Sequence, residues 1–565
     1  MGLNEKQQKA VFDLPGNTIV TASPGSGKTR TLVARAAYKL DKLTKYKSLA
    51  LITYTNVAAD EISSRLVTDK NVFIGTIHSF CLEYILRPFG WIYNWNRPRV
   101  VSYEQLVEFF EQNEYINLEE NFGQNKFDEI GKIKKKLDGS LDTEIEWNHT
   151  YELSEVADIY FDYLNELNVI DFNEILYRSY KLINQNHFIA KSISSMFYEI
   201  LVDEFQDTNI YQYEILKIIN NHGECTFFMV GDEKQKIFSF AGAIDNSFEN
   251  AENDFSSENE ELSETYRSTD NIVNTYSKLF DDHPEIDNRS DYSNLDIQVQ
   301  YFETQRNNHL QKIDSIIDFL IDDADISLPE IAILSTSWYS AYPVSKALRQ
   351  KHRIVGLGAL PHKSVNNSTI GLLKALSRYY VSPSLRGLRS IKRNVDLHLL
   401  ENGIQWNDTI LNMKINSLII KFINLPTEEN VSVGFTHFKQ LFDSIFAANH
   451  STFKELNEII KEDEKPSWTT KGYIETLAGV DGITSNTIHK AKGLEFDAVI
   501  LNEMNENRIP YQKLLDRSTW TYEELTEEGL ENGRKLFYVA ISRARKYLII
   551  LHNWKPSLFI NMIKN

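Results

Sequence analysis

Short apolar runs recur along the chain, and most of them are followed by glycines, hydroxyls, amides or acids before a stretch of helical spacing begins. The runs that we predict as buried strands lie at residues 18–20, 48–53, 72–77, 199–202, 226–230, 331–334, 354–355, 484–488, 498–501 and 547–551. Strands that alternate with helical segments are typical of parallel sheets covered by helices. The pattern therefore predicts an α/β fold.

Two long, mainly helical stretches interrupt this pattern, one at about residues 87–193 and a smaller one at about 383–471. We interpret both as helical insertions. The predicted division is a first α/β domain at 1–88 and 194–270 with an insertion at 89–193, and a second at 271–380 and 476–565 with a reduced insertion at 381–475. The acidic, Ser/Asn-rich stretch 250–260 is predicted to be an exposed connector.

Composition places the chain among ordinary globular proteins, since 42% of its 565 residues are hydrophobic and 25% are charged. The two cysteines are too few for a disulfide framework or a zinc site, which favours a reducing cytoplasm. No apolar run approaches the roughly 20 residues of a membrane span, so we expect no membrane partner. The net charge of −19 still allows one basic groove for nucleic acid, and it also suits a protein partner.

The first candidate site is the glycine-rich stretch ASPGSGKTRTL, which begins at Ala22 between a predicted strand and a predicted helix. In such a turn, Gly25 and Gly27 let backbone N–H groups approach phosphate oxygens. Lys28 would reach the β- and γ-phosphates, and the Thr29 hydroxyl would ligate Mg²⁺. The alternative is a chance Gly/Ser turn, but the strand and helix on either side favour nucleotide binding.

Polar side chains follow two further strands. Asp203 and Glu204 follow strand 199–202, where a P-loop enzyme holds Mg²⁺ and orients or deprotonates the attacking water. Gln235 follows strand 226–230 and could sense the γ-phosphate and nearby DNA. The alternative for the two acids, an acid-rich helix N-terminus, does not explain the strand before them.

Other candidates admit two interpretations each. Gln7 could read an adenine edge, or it could belong to a first helix capped by Asn4. Phe238 and Phe240 could stack on bases or belong to the core. A lone histidine such as His78 is more often a satisfied residue at a strand end than a ligand, and a lone arginine such as Arg543, predicted within a helix, is normally a surface group.

In order and spacing, these segments resemble the motif series of superfamily 1A DNA helicases, the UvrD/Rep/PcrA-like group. The resemblance covers both α/β domains and fades in the insertions. It implies two RecA-like P-loop NTPase domains, each with a mainly helical insertion. It also implies ATP and Mg²⁺ as cofactors and single-stranded DNA as partner.

The resemblance assigns roles by position. The catalytic residues would be Lys28, Glu204, Gln235, Arg267 and Arg543. The nucleotide would contact Gln7, Ala22, Ser23, Gly25, Ser26, Gly27, Lys28, Thr29, Arg30, Tyr266 and Glu495. The metal ion would be held by Thr29 and Asp203. The DNA strand would contact Tyr54, Asn56, Thr76, His78, Phe238, Phe240 and His489. One departure is Ala241, where the family usually has an arginine close to the ATP site.

Three functions follow as hypotheses. The first is an ATP-dependent helicase or translocase that moves 3′→5′ on single-stranded DNA and hydrolyses ATP at the cleft between two RecA-like domains. The second is a DNA-end-sensing, DNA-stimulated NTPase subunit that works with a nuclease partner, because size, acidic charge and the small second insertion are similar to the helicase subunits of Gabija anti-phage defence systems. The third, a small-molecule P-loop kinase, leaves the motifs of Arg267 and Arg543 unexplained.

Overall fold

The computed structural model describes residues 2–564. It leaves out residues 45, 67, 69, 96–97, 102, 114–115, 117, 119–125, 146, 148, 240–241, 357–358, 361–367, 402–407, 426–427, 447–468 and 517–520. The chain divides into two compact units. Unit 1 comprises Met1–Tyr266 and Glu285–Asp287, and unit 2 comprises Arg267–Pro284 and Asn288–Asn565. The finer division into four segments stays a prediction.

Unit 1 is built on a six-stranded sheet of order β3-β2-β6-β7-β1-β8 in which neighbouring strands are parallel. The strands of unit 1 are β1 Thr18–Ala22, β2 Ser48–Thr53, β3 Val72–Thr76, β4 Arg99–Val100, β5 Val169–Ile170, β6 Phe197–Val202, β7 Thr226–Gly231, β8 Glu258–Leu262 and β9 Glu264–Thr265. Three short strands, β4, β5 and β9, lie outside the six-stranded sheet. The α/β prediction is confirmed for this unit.

The helices of unit 1 cover both faces of its sheet, apart from Tyr103–Gln112, Lys126–Ile130 and Leu153–Glu166, which form a separate hydrophobic core. They are α1 Glu5–Gln8, α2 Lys28–Lys42, α3 Asn56–Arg65, α4 Ile77–Cys81, α5 Arg87–Phe89, α6 Tyr103–Gln112, α7 Lys126–Ile130, α8 Leu153–Glu166, α9 Phe172–Gln185, α10 His187–Met196, α11 Ile210–His222 and α12 Ser247–Asp254. Successive strand residues enter opposite cores: Ile19 lies in one hydrophobic cluster and Val20 in the other. Strands buried on both faces read as continuous apolar runs, which is why the sequence revealed them.

The predicted exposed connector at 250–260 is wrong. Its first part completes α12, where Ala251 is buried, and its last part belongs to β8, which pairs with β1. β8 is an edge strand with a mostly exposed outer side, so acids alternate there with buried Glu260 and Leu262. When only one side of a strand is buried, the other side carries polar residues, and the sequence then resembles that of a loop.

Unit 2 has a second six-stranded sheet, of order β11-β18-β15-β12-β14-β13, and its neighbouring strands are also parallel. Its strands are β10 Asp287–Asn288, which begins on the last residue of unit 1, β11 Gln300–Glu303, β12 Ile331–Ser335, β13 Ile354–Gly356, β14 Ile483–Thr487, β15 Phe496–Asn502, β16 Leu514–Asp516, β17 Thr521–Tyr522 and β18 Ala544–His552.

Its helices are α13 Asp270–Ser277, α14 His309–Asp322, α15 Trp338–Leu348, α16 Ser368–Val381, α17 Leu385–Glu401, α18 Asp408–Ile423, α19 Val431–Phe446, α20 Thr470–Ala478, α21 Glu527–Ile541 and α22 Leu558–Lys564. Helices α16–α20 form a hydrophobic core separate from that of the sheet. Among the described residues, no helix combines the length and the apolar character that a bilayer crossing requires.

Candidate functional site

The glycine-rich stretch forms the turn from β1 to α2, as predicted. Gly25 and Gly27 both have left-handed backbones, with φ of +75° and +83°. A Cβ at Gly27 would lie 2.8 Å from Nε2 of Gln7, so this position needs glycine for two reasons. The N-cap of α2 is Gly27, which has no side chain to cap the first turn. Backbone N–H groups at a helix N-terminus can bind an anion.

Gln7 lies against this turn and is only 1% exposed. Its Nε2 donates to the Ser26 carbonyl at 2.8 Å, and its Oε1 accepts from the Asn4 N–H at 3.1 Å. The Asn4 side chain in turn accepts from the Gln7 N–H at 2.7 Å. The interpretation as a first helix capped by Asn4 is confirmed, because Gln7 closes a capping box. Adenine recognition by Gln7 stays a prediction, and the residue lies against the phosphate loop.

A second chain segment contacts the same loop from the far end of unit 1. The Tyr266 N–H donates to the Gly25 carbonyl at 2.9 Å, and the Thr265 hydroxyl donates to the Pro24 carbonyl at 2.8 Å. Asn4 Nδ2 donates to Glu264 at 2.8 Å and to the Tyr266 hydroxyl at 3.0 Å. Sequence reasoning missed Glu264 and Thr265, and no local pattern marks them.

The remaining loop residues lie close by. Ala22 ends β1, and Ser23 is bonded through its N–H to the Leu262 carbonyl at 3.2 Å. Arg30, in the first turn of α2, donates to the Gly2 carbonyl at 2.9 Å. Lys28 Nζ lies 4.0 Å from a carboxylate oxygen of Asp232. Lys28, Gln7 and Tyr266 therefore surround one loop.

Asp203 and Glu204 follow β6 directly. Burial, together with the adjacent Glu204 carboxylate, raises the pKa of Asp203 to about 7, although Lys28 acts in the opposite direction. Two neighbouring carboxylates, one of them buried and poorly compensated, are the hard oxygen ligands that Mg²⁺ prefers. The residues present therefore fit a nucleotide with its metal ion.

A chain of hydrogen bonds joins Glu204, the candidate general base, to Gln235, the candidate γ-phosphate sensor. Gln206 Nε2 donates to Glu204 at 2.6 Å, and its Oε1 accepts from the Asp232 N–H at 3.0 Å. Asp232 accepts from Gln235 Nε2 at 2.6 Å. Glu204 has φ of +52°, a conformation that costs a non-glycine residue free energy and is typical of functional turns. Gln206 and Asp232 were missed, although both follow the ends of adjacent strands, which is the signal that could have found them.

Tyr54 and Phe238, two predicted DNA contacts, stack on each other with ring centroids 4.8 Å apart and planes 24° apart. Both are half-buried, so Phe238 does not belong to the core. Burial and the nearby Asp207 raise the pKa of Tyr54 to about 12. Phe240 and Ala241 lie outside the described residues.

Three other predicted DNA contacts lie at helix starts. Asn56 is the exposed first residue of α3. β3 ends at Thr76, whose hydroxyl caps α4 by accepting from the Ser79 N–H at 3.3 Å. The predicted strand-end position of His78 is therefore wrong, because His78 lies in the first turn of α4. Its ring meets that of Phe172 edge to face, with centroids 5.4 Å apart.

His78→Gln is expected to reduce the loss of stability at acid pH. Burial lowers the pKa of His78 to about 4, whereas histidine in an unfolded chain titrates near 6.5. The unfolded chain takes up a proton in this window that the folded chain does not, so stability falls as the pH decreases from 6.5 towards 4. At pH 5.5 this proton uptake lowers the free energy of unfolding by about 1.4 kcal/mol. Urea titrations at pH 7.5 and 5.5 measure the free energy of unfolding of the wild type, of His78→Gln and of the control His222→Gln, which replaces an exposed histidine. If the free energy of unfolding changes equally with pH in all three proteins, His78 does not have the lowered pKa.

In unit 2, the two predicted arginines lie on either side of Ser542. Arg267 Nη1 donates to the Ser542 carbonyl at 2.9 Å, and Arg543 Nη2 donates to the Ser542 hydroxyl at 2.9 Å. Arg543 also donates to the carbonyls of Val539 at 3.0 Å and Leu494 at 3.2 Å. The predicted position of Arg543 within a helix is wrong, because α21 ends at Ile541. The alternative of a surface group does not apply either, because Arg543 is 2% exposed.

Glu495 joins this arginine group. It accepts from Arg267 Nε at 2.7 Å and from Arg545 Nη2 at 3.1 Å. Although burial acts in the opposite direction, these two guanidinium groups hold the pKa of Glu495 below its usual value. His489 follows β14, and burial, with Lys492, lowers the pKa of its imidazole. The structure thus brings Arg267, Arg543 and Glu495 together within unit 2.

A parallel sheet with a glycine loop between β1 and α2, and with acids at the end of β6, defines a P-loop nucleotide-binding fold. Comparison with known families narrows this class. Residues 3–256 match the UvrD/REP helicase N-terminal domain, and residues 435–554 match the UvrD-like helicase C-terminal domain. The chain therefore belongs to the UvrD/Rep/PcrA-like superfamily 1A helicases and is an enzyme of that class.

Relatives match along almost the whole chain. A probable DNA helicase II homolog of Mycoplasma genitalium is 25% identical, over 99% of this chain and 87% of the relative. The ATP-dependent DNA helicase Rep of Buchnera aphidicola is 23% identical, over 98% and 93%. The ATP-dependent DNA helicase PcrA of Staphylococcus aureus is 25% identical, over 99% and 84%.

Proposed function

We propose that this chain is an ATP-dependent motor that moves 3′→5′ on single-stranded DNA. The observation that carries the proposal is the hydrogen-bonded chain from Glu204 through Gln206 and Asp232 to Gln235, beside the phosphate loop of Lys28. This hydrogen-bonded chain joins the two residues that we propose as general base and γ-phosphate sensor, and Nζ of Lys28, the proposed phosphate-binding lysine, lies 4.0 Å from its member Asp232. Family membership and the names of the relatives support the same activity.

Bound ATP and Mg²⁺ would supply the reactive phosphoanhydride and the charge that neutralises it. The backbone N–H groups of the loop from Ala22 to Gly27 and the Lys28 ammonium hold the phosphates. Thr29 and Asp203 supply oxygen ligands for the metal ion. Glu204 accepts the proton of the attacking water, and Gln206 fixes the orientation of its carboxylate.

Arg267 and Arg543 stabilise the charge that spreads over the transferred phosphoryl group. In the present conformation both guanidinium groups are bonded to Glu495, to Ser542 or to backbone carbonyls. Hydrolysis therefore requires that these bonds give way to bonds with phosphate. Because the arginines belong to unit 2 and the loop to unit 1, hydrolysis depends on both units.

On the DNA side, the stacked Tyr54–Phe238 pair and the residues Asn56, Thr76 and His489 would contact the strand. Flat aromatic faces bind bases without sequence preference. Changes in the affinity of each unit for DNA during the hydrolysis cycle would then produce movement along the strand.

Displacement of streptavidin from biotinylated oligonucleotides tests the direction. The wild-type chain should displace streptavidin from a 5′ biotin in the presence of ATP, and much more slowly from a 3′ biotin. Lys28→Ala should do neither. Faster release from the 3′ end would overturn the proposed direction without removing the motor activity.

A second candidate is a DNA-end-sensing NTPase subunit that acts with a nuclease in antiviral defence. The net charge of −19 suits a protein partner, and the small size of the insertion predicted at 381–475 is similar to that of the helicase subunits of Gabija systems. Both candidates place the chain in the cytoplasm. Purification from its native host separates them: a co-purifying nuclease and DNA-dependent cleavage favour the second, whereas processive duplex unwinding by the isolated chain opposes it.

A further inference from the structure

Arg35 is a fully buried arginine of α2 that the proposed mechanism does not use. It lies about two turns after Lys28 on the same helix, and its side chain is 0% exposed. Nε of Arg35 donates to one carboxylate oxygen of Glu199 at 3.1 Å, and Nη2 donates to the other at 2.8 Å. Two parallel bonds of this kind fix the orientation of a carboxylate as well as its distance. The pair therefore joins α2 to β6, the strand that contains Glu199.

The other side of the Arg35 guanidinium contacts the segment that follows α1. Nη1 donates to the carbonyls of Ala10 at 3.1 Å and Val11 at 3.0 Å, both in the π-helical turn Lys9–Asp13. In a π turn the N–H of residue 15 would reach the carbonyl of Ala10, and in an α turn it would reach that of Val11. Pro15 has no N–H. Arg35 supplies a donor in its place and so bonds the π-helical turn to α2.

Strand β7 contacts the same pair of charges. The hydroxyl of Thr226, the first residue of β7, donates to Glu199 at 3.1 Å. The Arg35 guanidinium lies over the ring of Phe228, also in β7, at 5.1 Å from the ring centroid. Arg35 and Glu199 thus contact α2, β6, β7 and the π-helical turn in the interior of unit 1.

Each of these four elements carries one part of the proposed hydrolytic site. The π-helical turn follows Gln7, α2 begins at Lys28, β6 leads to Glu204, and β7 leads to Gln235. Glu199 lies four residues before Asp203, which is about 13 Å along a strand. The buried pair is therefore too far from the acids to act on them directly, and any influence on hydrolysis goes through the elements themselves.

We propose that Arg35 is a positioning residue for ATP hydrolysis, which together with Glu199 aligns the phosphate loop, the acids after β6 and the sensor after β7 on one phosphate. This inference rests on the proposed function, because it assumes that ATP is hydrolysed at this loop. The loop that binds the phosphates is contiguous in the chain, so its affinity for ATP depends little on the other elements. Hydrolysis needs groups from three elements at once, and a misplacement of about 1 Å can cost about 10²-fold in rate.

Arg35→Lys tests the proposal in the full chain. Lysine keeps the positive charge beside Glu199, but its ammonium cannot make the paired bonds of a guanidinium and also reach both carbonyls of the π-helical turn. We expect kcat to fall by about 10- to 100-fold, while the dissociation constant for a non-hydrolysable ATP analogue changes by less than about threefold. Steady-state phosphate release measures kcat, and calorimetric titration measures the dissociation constant. Thermal unfolding identifies the temperatures at which the variant is folded.

The matched control is Arg178→Lys, which makes the same change at another buried arginine of unit 1. Arg178 donates to Glu174 of α9 at 2.8 Å and to Asn165 of α8 at 3.0 Å. This variant should lose stability as Arg35→Lys does, but it should keep the wild-type kcat. A fall in kcat of the same size in both variants would overturn the inference.

A folded Arg35→Lys with the wild-type kcat would show that Arg35 only stabilises the fold, and a loss of analogue affinity larger than the loss of kcat would place its effect on binding. Either result overturns the inference. If Arg35→Lys does not fold, Glu199→Gln, which has nearly the same shape as the wild-type residue, is measured instead against the same expectations. A wild-type chain that hydrolyses no ATP would overturn the proposed function, and the inference with it.

Discussion

Glu204→Gln is expected to lower kcat for ATP hydrolysis by about 10²- to 10⁴-fold, while ATP binding is retained. A glutamine has nearly the same shape as glutamate but cannot accept a proton from water. It leaves Lys28 and the phosphate loop unchanged. Steady-state phosphate release measures kcat, and calorimetric titration with ATP measures the dissociation constant.

The control for this substitution is Glu224→Gln, which removes an exposed carboxylate from the same unit. Its kcat should match that of the wild type. Retention of most of the wild-type kcat in Glu204→Gln would show that another group activates water. A large loss of ATP affinity would instead assign Glu204 to nucleotide binding.

Arg543→Ala is expected to lower kcat by about 10³- to 10⁵-fold, the range for arginines that stabilise phosphoryl transfer. Arg543→Lys should restore little of this rate, because an ammonium cannot reproduce the planar fork of a guanidinium. Truncation also removes the hydrogen bonds that Arg543 donates to the carbonyls of Val539 and Leu494, which lowers stability. Thermal unfolding of each variant separates this effect from the loss of rate.

Arg534→Ala provides the matched control, because Arg534 lies on the preceding helix α21 and pairs with Glu531 at 3.4 Å. It should keep the wild-type kcat. If Arg543→Ala remains folded at the assay temperature and hydrolyses ATP at the wild-type rate, Arg543 has a structural role only.

The central strands could be predicted from the sequence because both of their faces are buried. Residues 48–53 form a strand with the predicted bounds, since every side chain in it is buried. β8 was missed because its exposed side carries acids, and a periodicity argument cannot distinguish such an edge strand from a polar loop. The bounds of β3 were one residue too long, because the Thr76 hydroxyl starts a helix there.

The phosphate loop could be predicted because its chemistry is contiguous in the chain. The contacts that position it could not, since Asn4 and Tyr266 are far apart in sequence and meet only in the fold. The same limit applies to Arg543. Its burial depends on carbonyls of Leu494 and Val539, and nothing within its own segment indicates that Leu494 is near.

The rate of ATP hydrolysis with and without single-stranded DNA tests the central claim most directly. The wild-type chain should hydrolyse ATP faster when an oligonucleotide of about 16 nucleotides is added at low salt, and the increase should shrink as salt weakens the phosphate contacts. Lys28→Ala should show no hydrolysis under either condition. An unchanged rate with DNA at every salt concentration, or full activity in Lys28→Ala, would contradict the account.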